Sequence, residues 1–459
     1  MYMSTTAQFI DQYIPAHLEN SLDELKRLCA QPSVSARREG VDDCAVLVAD
    51  ILGAHGFAAR VFQTPGHPVV VGTARGRSER TLLFYNHYDV QPPEPLDLWT
   101  TPPFQPEVRD GALYARGAKD DKGEFIARLA AVDAVRAAHG GELPCGVTFV
   151  LEGEEEIGSQ HFAEFVLEHT DLLAAQGAIW EEGGIDPSGA YHCWLGPRGL
   201  LYVELSVETL SRDAHSGGAH TLPNAAWRLL RALATLKDDH EKILIPGFYD
   251  DALPLSERDR ALIERFYDGG TLEATSRATY GVKQFVNGAT GLAWNEAVYN
   301  PTCNIAGLTA GYQGPGSKTV IPARASAKVD FRLVPDQNPR DILAKLRAHL
   351  DQQGFADVTV TQLGGMGYPY KQDADNPLIQ LSLRTGDEVY GVPSTIVPLI
   401  GGTTPVYAIA RPLGNIPVIS PGVGYWDNKT HSPDEHVRLA DFQNAARHIG
   451  RILDGFADL

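Results

Sequence analysis

Residues 81–90 read TLLFYNHYDV, a short apolar run followed by polar residues, and this stretch indicates the fold class. Residues 81–85 are almost continuously apolar, which is typical of a buried strand in a parallel sheet. Similar runs occur at 146–151 and 178–180. Between the first two, residues 122–138 place apolar side chains at helical spacing. Short buried strands that alternate with amphipathic helices predict an α/β domain with a mostly parallel sheet.

The hydrophobic pattern changes after about residue 200. Residues 202–208 and 327–334 alternate apolar and polar side chains, as strands with one face in water do. Amphipathic helical patterns at 223–236 and 340–353 accompany them. This part of the chain therefore predicts a small α+β domain with helices on one face of an antiparallel sheet.

The last part of the chain resumes the first pattern. A strand-like run at 416–420 and a helical pattern at 441–453 resemble the α/β section. The simplest arrangement is one domain inserted into another. We therefore predict a larger domain formed by residues 1–199 and 367–459, with residues 200–366 inserted between its two parts.

Composition limits the possible partners. The 459 residues carry 39 Lys and Arg against 58 Asp and Glu, a net charge of -19. Such a surface repels phosphate backbones and anionic lipids, so we expect neither nucleic acid nor membrane partners. The first thirty residues lack the pattern of a signal peptide, which makes the cytoplasm the expected location. Five Cys without a C-x-x-C pair offer no thiolate cage, so any metal must bind to His and carboxylate.

The first chemically informative pair follows the 81–85 run. His87 and Asp89 are two residues apart on extended chain, so their side chains point the same way. Such a pair suits a metal-bound imidazole whose other ring nitrogen is held by a carboxylate. The ordinary alternative is an exposed His at a strand end beside an unrelated Asp.

Further carboxylates and a second imidazole follow the other predicted strands or precede the 122–138 helix. They are Asp120 and Asp121, the Glu residues of 152–156, Glu181 and Glu182, and His431. Each has an ordinary alternative: Asp120 or Asp121 could be a helix N-cap, a Glu run is usually a solvated face, and a loop His is often inert. Taken together, two imidazoles and several carboxylates at neighbouring strand ends indicate a dinuclear hydrolytic site.

The order of these motifs resembles a known family. HYDVQP at 87–92, DDKG at 120–123, EEIGS at 155–159 and HSP at 431–433 are similar to the dinuclear zinc aminoacylase/carboxypeptidase family. That family includes carnosinase-type dipeptidases, glutamate carboxypeptidase, acetylornithine deacetylase and succinyl-diaminopimelate desuccinylase. Residues 87–92, 213–217 and 314–322 are most similar to the dipeptidase branch. The resemblance covers essentially the whole chain and implies that the inserted domain is a lid and dimerisation domain.

The same resemblance implies the metal ligands. Two divalent ions are expected, Zn²⁺ first, with Mn²⁺ and Co²⁺ as alternatives that accept the same donors. One ion would be held by His87, Asp120 and Glu181, and the other by Asp120, Glu156 and His431, so that Asp120 bridges them. Glu181 is preferred over Glu182 because it follows the strand at the matching offset.

The resemblance also implies the remaining roles. Glu155 would be the general base, Asp89 would orient His87, and His215 of the neighbouring subunit would stabilise the oxyanion. Arg332, Gly402 and Thr403 would bind the terminal carboxylate of the substrate. The predicted function is metal-dependent hydrolysis of an amide bond in small peptides by a cytoplasmic homodimer. An N-acyl-amino-acid deacylase is the alternative, and an inactive binding protein of the same fold is the third possibility.

Overall fold

Helices and strands cover about half of the chain, and the computed structural model describes residues 5–459. The helices are α1 Thr5–Ala16, α2 Leu18–Ala30, α3 Val41–Ala54, α4 Lys122–Ala138, α5 Phe162–Glu168, α6 Ala225–Leu233, α7 Glu257–Arg265, α8 Thr271–Tyr280, α9 Leu292–Glu296, α10 Pro339–Gln352, α11 Pro377–Tyr390, α12 Val406–Ala410 and α13 Leu439–Phe456. The strands are β1 Ala58–Phe62, β2 Val69–Ala74, β3 Thr81–His87, β4 Glu107–Arg109, β5 Ala112–Tyr114, β6 Gly146–Glu152, β7 Gly177–Ile179, β8 His192–Trp194, β9 Gly199–Glu208, β10 Ala214–His215, β11 Thr302–Ala310, β12 Val320–Ile321, β13 Arg324–Leu333, β14 Thr359–Gln362, β15 Thr395–Val397, β16 Val418–Ile419 and β17 His436–Arg438.

The described chain forms two compact units. The first runs through Leu195 and includes Gln372–Val397 and Ala408–Leu459, and the second consists of Gly196–Lys371 and Pro398–Tyr407. This division differs from the predicted one at residues 196–199, 367–371 and 398–407, which lie in the second unit instead of the larger domain.

Backbone hydrogen bonds explain why segment 398–407 joins the second unit. The Ile400 N–H donates to the Gly196 carbonyl at 3.0 Å, and the Arg198 N–H donates to the Gly402 carbonyl at 3.0 Å. The segment is therefore paired with residues 196–198, which begin the second unit. Pairing between distant parts of the chain leaves little trace in a local sequence pattern.

The first unit is built on a six-stranded sheet in the order β1-β2-β6-β3-β7-β16. β3 pairs in parallel with both β6 and β7, and β16 pairs in parallel with β7. The antiparallel strands β2 and β1 extend the sheet beyond β6. The predicted mostly parallel α/β sheet is thus confirmed. Because β3, β6 and β7 run in the same direction, the residues that follow them emerge at the same edge of the sheet.

Apolar burial accounts for these elements. Every residue of β6 is buried, and β3 is buried from Leu82 to His87. α4 packs its apolar residues into the same core and ends before Gly140, whose φ of 73° suits a residue without a side chain. The helix predicted over 122–138 is observed with those bounds.

The second unit contains an antiparallel sheet in the order β11-β13-β9-β14. β9 buries alternate residues, and Val203, Leu205 and Val207 belong to the core. Apolar residues of α6 and α10 complete that core on one face of the sheet. The predicted α+β arrangement is therefore confirmed in this unit, with α6 shorter than the pattern at 223–236 indicates and α10 one residue earlier than the pattern at 340–353.

The cysteines lie inside this framework. All five are free and buried. Burial raises the pKa of the Cys29 and Cys193 thiols to about 12, so these thiols stay protonated. Among residues 5–459, none of the helices combines the length and the apolar character that a membrane span requires.

Candidate metal centre

One aspartate and two imidazoles form the centre of the site in the first unit. Oδ1 of Asp120 lies 3.0 Å from Nε2 of His87, the last residue of β3. Oδ2 of Asp120 lies 2.9 Å from Nε2 of His431, which precedes β17. The two oxygens of one carboxylate thus face two different imidazoles. This is the geometry that a carboxylate needs if it is to be shared by two cations.

The charges at this point favour cations. Burial opposes ionisation of Asp120, but the Lys119 ammonium and the two imidazoles hold its pKa well below the usual range. Hydrogen bonds to Asp120 and Glu156 raise the pKa of His431 to about 10. Asp120 therefore stays ionised and attracts positive charge to the space between the imidazoles.

The other ring nitrogen of His87 contacts Asp89. Nδ1 of His87 lies 3.0 Å from the main-chain oxygen of Asp89 and 3.4 Å from its Oδ1. A proton on Nδ1 is directed at Asp89, which leaves Nε2 facing Asp120. The contact has the form expected of a residue that orients a metal-binding imidazole.

The second predicted ligand group comes together around His431. Nε2 of His431 is 3.2 Å from Oε2 of Glu156, and the side chains of Asp120, Glu156 and His431 offer ligand atoms within 4.8 Å of one another. Gln91 donates from Nε2 to Oε2 of Glu156 at 2.9 Å. We assigned Gln91 no role from the sequence, although it lies in the HYDVQP motif.

The first predicted group contains Glu181 rather than Glu182. Oε2 of Glu181 is buried, has no hydrogen-bond partner and lies 3.9 Å from Nε2 of His87. Burial raises the pKa of Glu181 well above its usual value, with Glu155 adding to the effect. Glu182 has a φ of 55°, and its side chain is 62% exposed and pairs with Lys119 at 3.3 Å. The turn after β7 therefore directs the two side chains of the doublet to different places.

Asp121 also lies in this cluster, although the resemblance assigns it no ligand role. Ligand atoms of His87, Asp121 and Glu181 lie within 4.8 Å of one another. Asp121 is at the N-cap position of α4, as the ordinary alternative predicts, but its side chain makes no capping hydrogen bond. Its Oδ2 instead accepts from Asn86 Nδ2 at 2.6 Å and from the His87 N–H at 3.1 Å.

Glu155 lies beside these groups at the start of a 3-10 turn, Glu155–Ile157. The N–H groups of Glu155 and Glu156 donate to Oδ1 and Oδ2 of Asp89 at 3.2 and 3.1 Å. Burial raises the pKa of Glu155 to about 8; His87 lowers it, while Glu156 and Asp120 raise it further. A carboxyl group with a pKa in this range is suited to proton transfer near neutral pH.

The donor set fits divalent metal ions. It consists of two imidazoles and several carboxylates, which are the donors that Zn²⁺, Mn²⁺ and Co²⁺ accept. Two carboxylate oxygens, Oε2 of Glu181 and Oδ1 of Asp121, are buried without a hydrogen-bond partner. Buried unpaired oxygens are costly unless a cation compensates them.

The predicted carboxylate-binding residues meet in the second unit. Nη1 of Arg332, near the end of β13, donates to Oγ1 of Thr403 at 2.7 Å. Gly402 is in the same segment, which the Arg198 N–H holds in place. Arg332 comes from a strand and Thr403 from a segment about seventy residues later, yet the fold brings them into contact.

His215 lies at the end of β10 in the second unit and is exposed. Its Nδ1 accepts the Gly217 N–H at 3.0 Å. In the neutral ring, the proton is therefore on Nε2. The imidazole thus presents a hydrogen-bond donor to its surroundings.

Together, the fold and the first-unit site define a class of protein. A carboxylate shared by two imidazoles, beside a carboxyl group of raised pKa and at the carboxyl edge of an α/β sheet, is an arrangement for metal-dependent hydrolysis. The chain belongs to Peptidase family M20/M25/M40, whose family model matches residues 83–455. It is a metallopeptidase, and the matched range includes each of the predicted metal ligands.

Individual relatives agree with this assignment. The chain is 28% identical to the Beta-Ala-His dipeptidase of Rattus norvegicus, over 95% of this chain and 92% of the relative. It is 27% identical to the Cys-Gly metallodipeptidase DUG1 of Saccharomyces cerevisiae, over 83% and 80%. The crystal structure of the M20 family metallo-carboxypeptidase Sso-CP2 from Sulfolobus solfataricus is similar with a TM-score of 0.87 and 34% identity, covering 96% of this chain and 99% of that one.

Proposed function

We propose that the protein hydrolyses the amide bond of dipeptides, or of similar small substrates that carry a free terminal carboxylate. The observation that carries the proposal is the position of Asp120 between His87 and His431, with contacts of 3.0 and 2.9 Å. The names of the relatives support the substrate class, since two are dipeptidases and one is a carboxypeptidase.

We further propose two divalent ions as cofactors, with Zn²⁺ first and Mn²⁺ or Co²⁺ as alternatives. His87, Asp120 and Glu181 would hold one ion, and Asp120, Glu156 and His431 the other. Asp121 lies close enough to the first group to neutralise charge there. When bound, such ions polarise the substrate carbonyl and lower the pKa of the attacking water.

Glu155 is the proposed general base. Its carboxylate takes one proton from the attacking water while the water oxygen bonds to the amide carbon. When the carbon–nitrogen bond breaks, Glu155 passes this proton to the leaving amine, so the base returns to its ionised form. The partial burial of Glu155 and its hydrogen-bonded backbone support this role, because they hold the carboxylate in one place.

Residues of the second unit are proposed to bind the substrate. Arg332 and the hydroxyl of Thr403, already in contact at 2.7 Å, form a donor pair that suits a terminal carboxylate, together with Gly402. His215 would donate from Nε2 to the oxyanion that develops during attack. We propose that this His215 belongs to the neighbouring subunit of a homodimer. The proposed location is the cytoplasm, in which the buried free thiols would remain reduced.

A substrate comparison tests the function. The enzyme, loaded separately with Zn²⁺, Mn²⁺ or Co²⁺ and analysed for metal content, is assayed on unmodified dipeptides and on N-acetyl and N-succinyl amino acids. We expect kcat/KM to be highest for the dipeptides and to vanish after chelation. A higher kcat/KM for the acylated amino acids would instead identify an N-acyl-amino-acid deacylase with the same metal chemistry.

A further inference from the structure

A fully buried carboxylate lies four residues after His431 and contacts the loop that carries Asp120. Oε1 of Glu435 accepts the N–H groups of Lys119 and Asp120 at 3.1 and 3.0 Å. Oε2 accepts the Gly117 N–H at 3.2 Å and Nη1 of Arg116 at 2.6 Å. Both carboxylate oxygens are thus occupied by donors from a single short loop.

The main chain of Glu435 takes part in the same arrangement. Its carbonyl accepts the Ala115 N–H at 3.1 Å, beside the pairing of β17 with β5. Glu435 therefore binds the loop 115–120 through its carbonyl and its carboxylate. Successive backbone N–H groups that converge on one anion form a concave anion-binding site, and here the anion is a side chain of the protein itself.

We propose that Glu435 is a positioning residue that fixes Asp120 relative to His431. The argument rests on the proposed assignment of Asp120 and His431 as metal ligands. These two ligands lie on segments more than three hundred residues apart, and their side chains are 2.9 Å apart. Glu435 is on the segment of His431 and binds the backbone N–H of Asp120 itself, so it joins the two segments next to both ligands.

A carboxylate suits the donors of this loop better than an amide does. It supplies two acceptor oxygens, each of which receives two donors, and its charge is balanced by the buried Arg116. An amide at this position has only one acceptor oxygen, and its NH₂ group would face two donors. Substitution should therefore release one side of the loop and shift Asp120. Residues that orient metal ligands typically change metal affinity by about 10- to 100-fold when replaced.

The test uses Co²⁺ as the probe, because its visible absorption reports ligand geometry. Purified Glu435→Gln is compared with the wild type for Co²⁺ affinity by chelator competition, for the absorption spectrum of bound Co²⁺ and for the melting temperature of the metal-free protein. We expect about 10- to 100-fold weaker binding and an altered spectrum. Wild-type affinity and spectrum in the folded variant would overturn the proposal.

Two further variants keep the result interpretable. Asp441→Asn breaks another carboxylate–arginine pair of the first unit, in which Nε of the partly exposed Arg438 lies 2.5 Å from Oδ2 of the buried Asp441. It should lower the melting temperature without changing Co²⁺ binding. Glu435→Asp keeps the charge, but its side chain is one methylene shorter. It too should weaken Co²⁺ binding, and it replaces Glu435→Gln in the comparison if Glu435→Gln does not fold. Unchanged affinity in Glu435→Asp would then overturn the proposal.

The ligand assignment is tested in parallel. His431→Ala should lose most of the Co²⁺ bound at its site. If His431→Ala keeps its Co²⁺, the proposed ligand set is wrong. If His431→Ala loses Co²⁺ while Glu435→Gln retains wild-type affinity, the ligand set stands and only the positioning role of Glu435 fails.

Discussion

The backbone N–H of Glu155 donates to Oδ1 of Asp89 at 3.2 Å. Asp89 therefore contacts the proposed base as well as the imidazole of His87. A single carboxylate thus holds two strand ends together, because Asp89 follows β3 and Glu155 follows β6. Its contacts thus extend beyond the imidazole that it is proposed to orient.

Asp89→Asn should disturb both the orientation of the His87 ring and the position of the Glu155 backbone. The amide has one acceptor oxygen instead of two, so one of the N–H groups of Glu155 and Glu156 loses its partner. We expect a decrease of about 10- to 100-fold in kcat and in metal affinity. Asp50→Asn, at an exposed position of α3, is the control. Unchanged kcat in Asp89→Asn would contradict the role.

Glu155→Gln should separate proton transfer from metal binding. The amide keeps the size of the side chain but accepts no proton, so kcat should fall by about 10²- to 10⁴-fold while the metal content stays at the wild-type value. The measurement combines steady-state kinetics with metal analysis of the same samples. Exposed Glu168→Gln serves as the control. If turnover remains near that of the wild type, Glu155 is not the base.

Arg332→Ala should discriminate between substrates by their terminal charge. Loss of a charge-assisted hydrogen bond costs about 1.5–3 kcal/mol, so kcat/KM for a free-acid dipeptide should fall about 10- to 100-fold. The corresponding C-terminal amide should be affected much less. Lys328→Ala, four residues earlier on the same face of β13, is the matched control. Equal losses for the acid and the amide would indicate a structural role for Arg332.

Subunit mixing should reveal whether His215 acts across a dimer. His215→Ala should keep its metals and lose about 10²- to 10³-fold in kcat, as expected for one oxyanion donor. Mixed dimers of His215→Ala and Glu155→Gln would contain one intact site and one doubly altered site if His215 acts on the other subunit. Activity should then rise well above that of either parent. If activity stays at the parental level, His215 does not act on the site of the other subunit.

His55 should make stability depend on pH. Its Nδ1 and Nε2 lie 2.6 and 2.9 Å from the carboxylates of Asp133 on α4 and Glu24 on α2. Burial lowers the pKa of His55, but these two hydrogen bonds outweigh it and raise the pKa from 6.5 to about 9. A raised pKa stabilises the fold fully below pH 6.5, and this contribution disappears as the pH rises through 9.

His55→Gln should therefore be destabilised by up to about 3 kcal/mol at pH 6 and by much less at pH 9.5. Urea unfolding of the metal-free protein at both pH values measures the difference. His240→Gln, at an exposed position, is the control for the substitution itself. A difference that stays constant between the two pH values would show that the charge on His55 does not contribute.

Much of the fold could be predicted from local patterns. The apolar runs of β3 and β6 and the spacing of α4 are set by burial along a single element, so the sequence shows them directly. The same applies to the alternation in β9 and β13, which reflects one buried and one wet face. The place of segment 398–407 in the second unit is not visible in a local pattern, because its pairing with residues 196–198 depends on contacts across two hundred residues.

The sequence by itself determined the chemical inventory: imidazoles and carboxylates at strand ends, without any thiolate pair. Only the tertiary structure decided how these groups are arranged. Glu181 lies inside and Glu182 outside because of the backbone turn after β7, where Glu182 adopts a positive φ. Asp121 belongs to the cluster, and Glu435 holds the loop of Asp120, because segments distant in sequence meet at one edge of the sheet. Residue types are local properties, whereas distances and side-chain directions at such an edge depend on the packing of the entire unit.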